Sequence, residues 1–392
     1  MKFFFIAGED SGDALAAPLI TALKEQYGDS TECLGVGGNL MKQAGFDELL
    51  PMDQISVIGI WEVIPKIPQL LSLNKKIVEE IEKQQPDAVI TVDFPDFNFI
   101  LAKSLKKRGI FKGKIIHYVA PSVWAWRSGR AKKISEFLDG ILCLFPMEVE
   151  YFTKHGLKAE HIGHTLVSSN CNEASGSMFR EENSIPPEAK TIGLFFGSRE
   201  SEFKSLSKIL LDAMALIDEA EDNIELHIIA PTLPKLEYQV QKLLEGFSLP
   251  VYVNTNPLMK WHAFKACDVA VAVSGTIALE LAYAGVPHII AYKINPITAL
   301  ILRFMVKVKY AHLANILLDK PVVPELLQGK CNAVNIAENI FDLLQDDGKC
   351  QEQKDEFKAL GASLNNKESV PPPKKAAEFI SKIIRGSVPD NA

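Results

Sequence analysis

The sequence lacks paired cysteines, long apolar runs and an excess of basic residues, and each absence excludes a class of protein. Its six cysteines are scattered, without the CxxC or Cys/His spacing of a metal or redox pair. No apolar run approaches the roughly 18 residues of a membrane span, and Glu9, Asp10 and Asp13 interrupt the apolar N-terminus before a signal-peptide core forms. The formal net charge of −7 argues against a general nucleic-acid binder. We expect a soluble, cytoplasmic protein without metal or cofactor, in which the cysteines stay reduced.

The glycine-rich turns also lack a dinucleotide fingerprint. Gly35-x-Gly37-Gly38 has the wrong spacing, and the loop after Gly8 carries carboxylates where a pyrophosphate would have to approach. We therefore discount a Rossmann dehydrogenase.

What the chain does contain is an alternation of buried strands and amphipathic helices that occurs twice. With 392 residues, 47% of them hydrophobic and 23% charged, it can form two globular domains of ordinary size. The pattern predicts strands over 3–7, 33–36, 88–92, 114–119 and 140–144, and again over 191–196, 224–230, 249–253, 269–273 and 288–292.

A segment rich in Ser, Asn, Gly and Glu, ending in Pro186-Pro187, separates the two series. We predict an α/β protein with two doubly wound, Rossmann-like domains that face each other across a cleft. The predicted divisions are an acceptor-side domain over 1–167, a linker over 168–190, a nucleotide-binding domain over 191–330 and C-terminal helices over 331–392.

The most informative stretch is the end of the third predicted strand. The apolar run 88–92 stops at Asp93, and Pro95 prevents the strand from continuing. Open α/β sheets bind ligands at the carboxyl ends of their strands, so Asp93 is a candidate general base. The alternative is that Asp93 or Asp96 caps the helix that follows, and for Asp96 we favour that role.

The second half predicts an anion site. Ser274, Gly275 and Thr276 lie between a strand and a helix, where backbone N–H groups and the helix dipole favour a phosphate. Glu280, one turn further, is placed to accept hydrogen bonds from the vicinal hydroxyls of a ribose. The turn Gly197-Ser198-Arg199 adds a fixed cation. Together the two turns favour a nucleoside diphosphate, although each one alone is typical turn chemistry.

The first half would then bind an acceptor and supply the base. Glu9, Ser11 and Asp13 follow a predicted strand, as Asp93 does, and Asp13 and Asp96 are candidate residues of the acceptor side. A nucleotide-sugar transferase needs a base on the acceptor hydroxyl and positive charge on the leaving diphosphate, and the two halves divide in this way. Trp124 and Arg127 at a further strand end suit a binding wall, whereas packing in the core is the usual role of a tryptophan.

The stretch Ile55 to Leu71 is too apolar for a loop, and its glycine and two prolines interrupt it too often for one regular helix. It is either a bent core segment or an apolar surface for acyl chains or a membrane. The candidate membrane or acyl residues are Ile58, Trp61, Val63, Ile64 and Ile67. Lysine and arginine clusters at 103–108 and 127–133 are typical of solvated faces, and beside such a patch they would also attract anionic lipid.

Seven ordered motifs resemble those of the lipid A disaccharide synthase family, inverting glycosyltransferases with the GT-B fold, over nearly the whole chain. The motifs are Gly8 to Asp13, Asp93 to Asn98, Tyr118 to Trp126, His161 to His164, Gly197 to Glu202, Ser274 to Glu280 and Pro324 to Gln328. The departures, such as Phe195-Phe196 where Leu-Pro is common, touch no proposed catalytic group.

The resemblance implies that UDP-2,3-diacylglucosamine donates its sugar to 2,3-diacylglucosamine 1-phosphate (lipid X), in lipopolysaccharide biosynthesis. It implies that Asp93 is the base, that Glu9 and Ser11 shape the acceptor side, and that Arg199, Ser274, Thr276, Glu280 and Asn315 hold UDP. It also implies peripheral attachment to the inner face of the inner membrane and dimers with exchanged C-terminal parts.

Three alternatives share part of this pattern. The transferase that makes the peptidoglycan lipid intermediate shares the nucleotide half, but Pro121-Ser-Val-Trp-Ala-Trp126 is not expected in it. A UDP-sugar epimerase shares the fold but needs no surface for acyl chains. A nucleotide-sugar-binding scaffold would have no need of the acidic set Glu9 and Asp93.

Overall fold

The computed structural model describes residues 1–28, 30–55, 60–126, 129–220, 224–295, 299, 305–306 and 308–386. The chain divides into two compact units. The first unit comprises Met1–Ser168 together with the segment from Leu364 onward, and the second unit comprises Ser169–Ser363.

The first unit is built on a seven-stranded parallel sheet with the strand order β3-β2-β1-β4-β5-β6-β7. The strands are β1 Lys2–Ala7, β2 Glu32–Gly37, β3 Asp47–Pro51, β4 Ala88–Val92, β5 Lys114–Tyr118, β6 Gly140–Cys143 and β7 Lys158–His161. The helices described in this part of the chain are α1 Asp10–Tyr27, α2 Asn39–Gln43, α3 Ile60–Gln84, α4 Pro95–Arg108, α5 Arg130–Ile134 and α6 Val149–Thr153.

The second unit contains a six-stranded parallel sheet with the order β10-β9-β8-β11-β12-β13. Its strands are β8 Lys190–Phe195, β9 Leu226–Pro231, β10 Val251–Asn254, β11 Val269–Val273, β12 His288–Tyr292 and β13 Glu325–Leu327. The helices described from here on are α7 Gly176–Glu182, α8 Glu200–Ala220, α9 Glu237–Leu244, α10 Lys260–Lys265, α11 Thr276–Tyr283, α12 Leu313–Leu318, α13 Ala333–Gln345, α14 Asp347–Leu364 and α15 Pro372–Arg385.

The strand register brings distant loops together. In the first sheet Ala7 of β1 pairs with Val92 of β4, and Val92 also pairs with Tyr118 of β5. The central strands are buried on both faces, which explains their continuous apolar sequences. Because the strands are parallel, the loops after Ala7, Val92 and Tyr118 lie at the same edge of the sheet.

The last helix, α15, belongs to the first unit and packs against α1, β5 and β6. Lys375, only 4% exposed, bonds Glu160 on β7 at 3.1 Å and Glu368 at 2.6 Å. A burial of this kind is tolerated because both carboxylates compensate the ammonium charge. Tyr27 and Gln26 on α1 also hydrogen-bond Ser381 on α15.

The segment predicted to be bent is different in the structure. A single helix, α3, runs from Ile60 to Gln84 and includes Pro65 and Pro68, so our objection to one regular helix was wrong. The buried side chains Leu73, Ile77 and Ile81 recur at helical spacing beyond Leu71 and pack in the core. The prediction failed because it considered the proline-rich start of this helix without the periodic half that follows.

Candidate active site

Asp93 lies in a left-handed turn between β4 and α4. Its φ is +50° and that of Phe94 is +43°, and Pro95 is the first residue of α4. The backbone N–H of Asp93 donates to the Tyr118 carbonyl at 2.9 Å, and the Asn98 amide donates to the Asp93 carbonyl at 2.7 Å. These bonds hold the main chain, and the half-buried carboxylate accepts a hydrogen bond from the Ser11 hydroxyl at 3.0 Å.

The capping role that we favoured for Asp96 is wrong. The N-cap of α4 is Phe94, and no side chain caps the helix. Asp96 is exposed, and its carboxylate binds the Arg130 guanidinium at 2.7 Å. Neither aspartate of this motif therefore caps α4.

Backbone strain is concentrated at this edge of the first sheet. Asp93, Phe94 and Val119 have positive φ although none is glycine. Such residues cost roughly 1–3 kcal/mol each and persist where the surrounding structure holds them. Two neighbouring strands, β4 and β5, thus end in strained turns, a feature typical of functional sites.

Glu9, Ser11 and Asp13 lie in the loop after β1 and the start of α1. Ser11 is exposed and reaches Asp93, whereas Asp13 is only 5% exposed. The Asp13 carboxylate accepts from the backbone N–H groups of Gly38, Leu40 and Met41, each at 3.0 Å. Asp13 therefore anchors the start of α2, and Ser11 contacts Asp93.

Trp124 lies after β5 and is fixed by a residue that sequence reasoning missed. Its indole N–H donates to Glu148 Oε1 at 3.1 Å, and Glu148 Oε2 accepts from the N–H groups of Leu144 and Phe145, also at 3.1 Å. Burial raises the pKa of Glu148 to about 7 despite these hydrogen bonds. A glutamate three residues after Phe145 has capping-box spacing, which was the available signal. Arg127, predicted beside Trp124, lies outside the described residues.

In the second unit, the turn after β8 is held by Glu202. The Glu202 carboxylate accepts from the N–H groups of Ser198 at 3.2 Å and Arg199 at 3.3 Å, and it pairs with the Arg199 guanidinium at 2.8 Å. Gly197 has φ +90°, and a Cβ there would lie 2.5 Å from Glu202 Oε2. Glu202 thus holds both the backbone of this turn and the exposed Arg199 side chain.

The turn after β11 also contains a glycine and leads into a helix. Gly275 is the N-cap of α11, and no side chain caps this helix. Gly275 and Thr276 are exposed, and the Ser274 hydroxyl donates to the Ala311 carbonyl at 3.1 Å. Glu280 pairs with Lys260 at 2.7 Å, a partner that sequence reasoning did not identify.

The loop that contains Ala311 is held by Glu325. The Glu325 carboxylate accepts from the N–H groups of Ala311 and His312 and from the Asn315 side-chain amide, at 2.9–3.0 Å. Asn315 is fully buried, and its amide also exchanges two hydrogen bonds of 2.8 Å with the Val323 backbone. The buried Asn315 side chain therefore stabilises this loop through its hydrogen bonds.

The remaining predicted residues are the candidate membrane or acyl residues of the stretch 58–67. Ile58 is outside the described residues, as are the side chains of Trp61, Val63, Ile64 and Ile67. Within the described part of the chain, no helix has the length and apolar character needed to cross a membrane. In the same part, no group of three or more His, Cys, Asp or Glu side chains is placed to hold a metal ion.

The two units thus carry different chemistry at the carboxyl ends of their sheets. The first offers a carboxylate, a hydroxyl and an indole, a set that can accept a proton and position a polar acceptor. The second offers an arginine and exposed turns at helix starts, a set that can bind a diphosphate and stabilise it as a leaving group.

Comparison of the chain with solved structures identifies the fold. A UDP-GlcNAc 2-epimerase from Neisseria meningitidis bound to UDP-GlcNAc superposes with a TM-score of 0.61 at 12% identity, covering 99% of this chain and all of that one. MurG from Acinetobacter baumannii gives 0.56 at 14% identity, with 98% and 99% covered. A ugt transferase from Siraitia grosvenorii in complex with UDP gives 0.63 at 12% identity, again with 98% and 99% covered. The predicted GT-B fold class is confirmed.

Comparison of the sequence identifies the family. The family described as Lipid-A-disaccharide synthetase matches residues 3–380. The lipid-A-disaccharide synthases of Rhodospirillum centenum and Paramagnetospirillum magneticum are 38% and 39% identical to this chain, each match covering 98% of it and 95% and 98% of the relative. The chain therefore belongs to the lipid-A-disaccharide synthase family and is a glycosyltransferase of lipid A biosynthesis.

Proposed function

We propose that this enzyme transfers the sugar of UDP-2,3-diacylglucosamine to the 6-hydroxyl of 2,3-diacylglucosamine 1-phosphate (lipid X). The products are the β-1,6-linked disaccharide 1-phosphate and UDP. The observation that carries the proposal is the position of Asp93, in a strained turn at the carboxyl end of β4 with Ser11 on its carboxylate.

In the proposed reaction, Asp93 removes the proton of the acceptor's primary hydroxyl as that oxygen attacks the anomeric carbon. The bond between this carbon and the diphosphate breaks, and UDP leaves with the electron pair. The Ser11 hydrogen bond orients the carboxylate, and Glu9 in the adjoining loop shapes the acceptor side. A positioned base of this kind contributes roughly 10²- to 10⁴-fold to a rate.

The second unit would bind UDP and compensate the charge on its diphosphate. We assign this role to Arg199 and the turn at Ser198, together with Ser274, Gly275 and Thr276 at the uncapped start of α11. Glu280, already paired with Lys260, would accept from the ribose hydroxyls. Asn315 would act indirectly, since its amide is engaged by Glu325 and Val323.

The acyl chains of both substrates suggest where the enzyme meets the membrane. We propose peripheral attachment to the inner face of the inner membrane through the start of α3, with Trp61 and its apolar neighbours. Among the described side chains, Leu71 on α3 is 53% exposed, and Ile100 on α4, a helix that packs against α3, is 47% exposed. Lys103, Lys106 and Lys107 follow on α4 and would attract anionic lipid.

The family resemblance also implies a homodimer that exchanges its C-terminal parts. The helical tail after Pro324 is compatible with such an exchange, and its last helix, α15, contacts α1, β5 and β6 of the first unit.

The test is disaccharide formation by the wild type and by Asp93→Asn, with Asp96→Asn as the matched control from the same motif. We expect Asp93→Asn to lose roughly 10²- to 10⁴-fold in kcat while it still binds UDP. Asp96→Asn should retain most of its activity, because Asp96 is exposed and bonds a surface arginine. Full activity of Asp93→Asn would assign the base to another residue, Glu9 first. UDP release without lipid X would instead favour an epimerase.

A further inference from the structure

Glu148 is a buried acid that the proposed mechanism does not use. Its side chain is 2% exposed, and it lies just after β6, at the same sheet edge as Asp93. The Trp124 indole reaches it from the neighbouring loop after β5, across 24 residues of sequence. Glu148 thus joins two loops that border the proposed acceptor side.

The hydrogen bonds around Glu148 favour an ionised carboxylate. The three groups that contact it, the indole N–H of Trp124 and the backbone N–H groups of Leu144 and Phe145, are all donors. A carboxylate has no hydrogen and accepts from all three, whereas a carboxylic acid places a fourth hydrogen among them. Two of the donors are main-chain groups held at the end of β6, so the side chain of Trp124 is the partner that can move away.

We propose that Glu148 is a positioning residue of the acceptor side, which holds the Trp124 indole against the loop after β6 when ionised and releases it when protonated. The proposal rests on the proposed function insofar as Trp124 borders the acceptor. The coupling between Glu148 and Trp124 does not depend on that function.

The titration of this pair falls near neutral pH. Burial raises the pKa of Glu148 to about 7, since the desolvated anion is only partly compensated by its three donors. The other titratable groups around this loop are Cys143 on β6, His161 on β7 and His164, which stacks on Phe145. Burial raises the pKa of the Cys143 thiol and lowers the pKa of both histidines, that of His164 to about 4. Lys367, which faces His161, favours the same neutral form of that ring.

The first test is direct and needs no substrate. The chain has four tryptophans, so ¹⁵N-tryptophan labelling yields at most four indole N–H resonances, and Trp124→Phe identifies that of Trp124. We expect this resonance to shift with pH with a midpoint near 7, and the shift to disappear in Glu148→Gln, in which the amide is neutral at every pH. Glu150→Gln, an exposed glutamate two residues further, is the matched control and should titrate as the wild type does.

The second test measures the KM for lipid X between pH 6 and 8. A hydrogen bond to a charged group corresponds to roughly tenfold in an equilibrium, so we expect the wild-type KM to fall by about that factor as pH rises. Glu148→Gln and Trp124→Phe should each have a high KM at every pH, and the KM of the double variant should be no higher than that of either single variant. The affinity for UDP, measured in parallel, should stay unchanged.

The outcomes separate the two proposals. A Trp124 resonance that does not titrate, or that titrates equally in Glu148→Gln, overturns the coupling. A titrating resonance with a pH-independent KM overturns the role in acceptor binding. If the wild type forms no disaccharide at any pH, the proposed function fails, while the resonance still decides whether Glu148 controls Trp124.

Discussion

The turns at the carboxyl ends of the two sheets differ in how they reach unusual backbone conformations. In the first unit, Asp93, Phe94 and Val119 adopt positive φ with their side chains present. In the second unit, the turns after β8 and β11 instead use Gly197, with φ +90°, and Gly275. Under the proposed function, the turn at Asp93 keeps its side chain for the reaction and bears the backbone strain, whereas a glycine turn lets a phosphate approach the backbone without that strain.

Asp93 and the carboxylates around the proposed UDP site differ in their hydrogen-bond and ion-pair partners. Glu202 and Glu280 in the second unit each pair with a cation, and Glu325 is surrounded by N–H donors. These carboxylates are engaged in holding the site together. Asp93 in the first unit instead accepts from a neutral hydroxyl, Ser11. In the proposed reaction the Ser11 hydrogen bond orients the Asp93 carboxylate, whereas the pairs of the second unit hold its turns in place.

The two units should differ in their sensitivity to mild acid. Burial lowers the pKa of His288 in the second unit to about 4, so between pH 6.5 and 4 the unfolded chain binds a proton that this ring does not, and the second unit loses stability as the pH falls. In the first unit the same effect on His164 is opposed by Glu148, because burial raises the pKa of Glu148 to about 7 and its protonation on acidification favours the folded state. We expect His288 to cost the second unit about 3 kcal/mol in the free energy of unfolding.

Denaturant titrations at pH 7 and pH 4.5, followed by tryptophan fluorescence, would check this expectation. Trp261 is the single tryptophan of the second unit, so Trp261→Phe reports on the first unit alone. The difference between the wild-type and Trp261→Phe curves reports on the second unit, and a midpoint of that unit that does not change with pH would show that His288 is not held neutral.

The next largest effect is expected on UDP affinity, from a substitution of Gly197 in the turn after β8. Gly197→Ala would strain the backbone and push a methyl group toward Glu202, which holds the Arg199 turn. We expect UDP affinity to fall roughly ten- to a hundredfold, which corresponds to about 1.4–2.8 kcal/mol. Gly246→Ala is the matched control, because its φ of +77° imposes the same strain and no atom lies within 4 Å of the added Cβ. Calorimetric titration with UDP should distinguish the two variants. Equal UDP affinities of Gly197→Ala and Gly246→Ala would contradict a role of the Gly197 turn in UDP binding.

The smallest effect is expected at the strained turn of the first unit. Val119→Gly removes a partly exposed side chain and relieves a φ of +79°. The two contributions oppose each other, so the free energy of unfolding should change by less than about 1 kcal/mol. Val123→Gly, four residues further and 2% exposed, should cost roughly 2–3 kcal/mol, because it loses a buried side chain without relieving strain. Equal losses from the two substitutions in urea denaturation would show that Val119 is not strained.

Much of the fold could be predicted because its determinants are local. The apolar runs of β4 and β11 are buried on both faces in a parallel sheet, and this environment dictates their sequence. Short strands without that pattern, such as β3 with its exposed Asp47 and Glu48, were missed. The motif glycines and Asp93 could be assigned to strand ends for the same local reason, and their catalytic roles stay predictions.

By itself, the sequence determined the alternation of strands and helices, the turns after β4, β8 and β11, and the family. Only the tertiary structure decided which polar groups meet: Glu148 with Trp124, Asp13 with the start of α2, Glu325 with the loop at Ala311, and α15 with the first unit. The physical reason is that strand and turn preferences act between near neighbours in sequence. A buried carboxylate takes whichever donors the packed sheet brings within 3 Å or so, however distant in sequence they are.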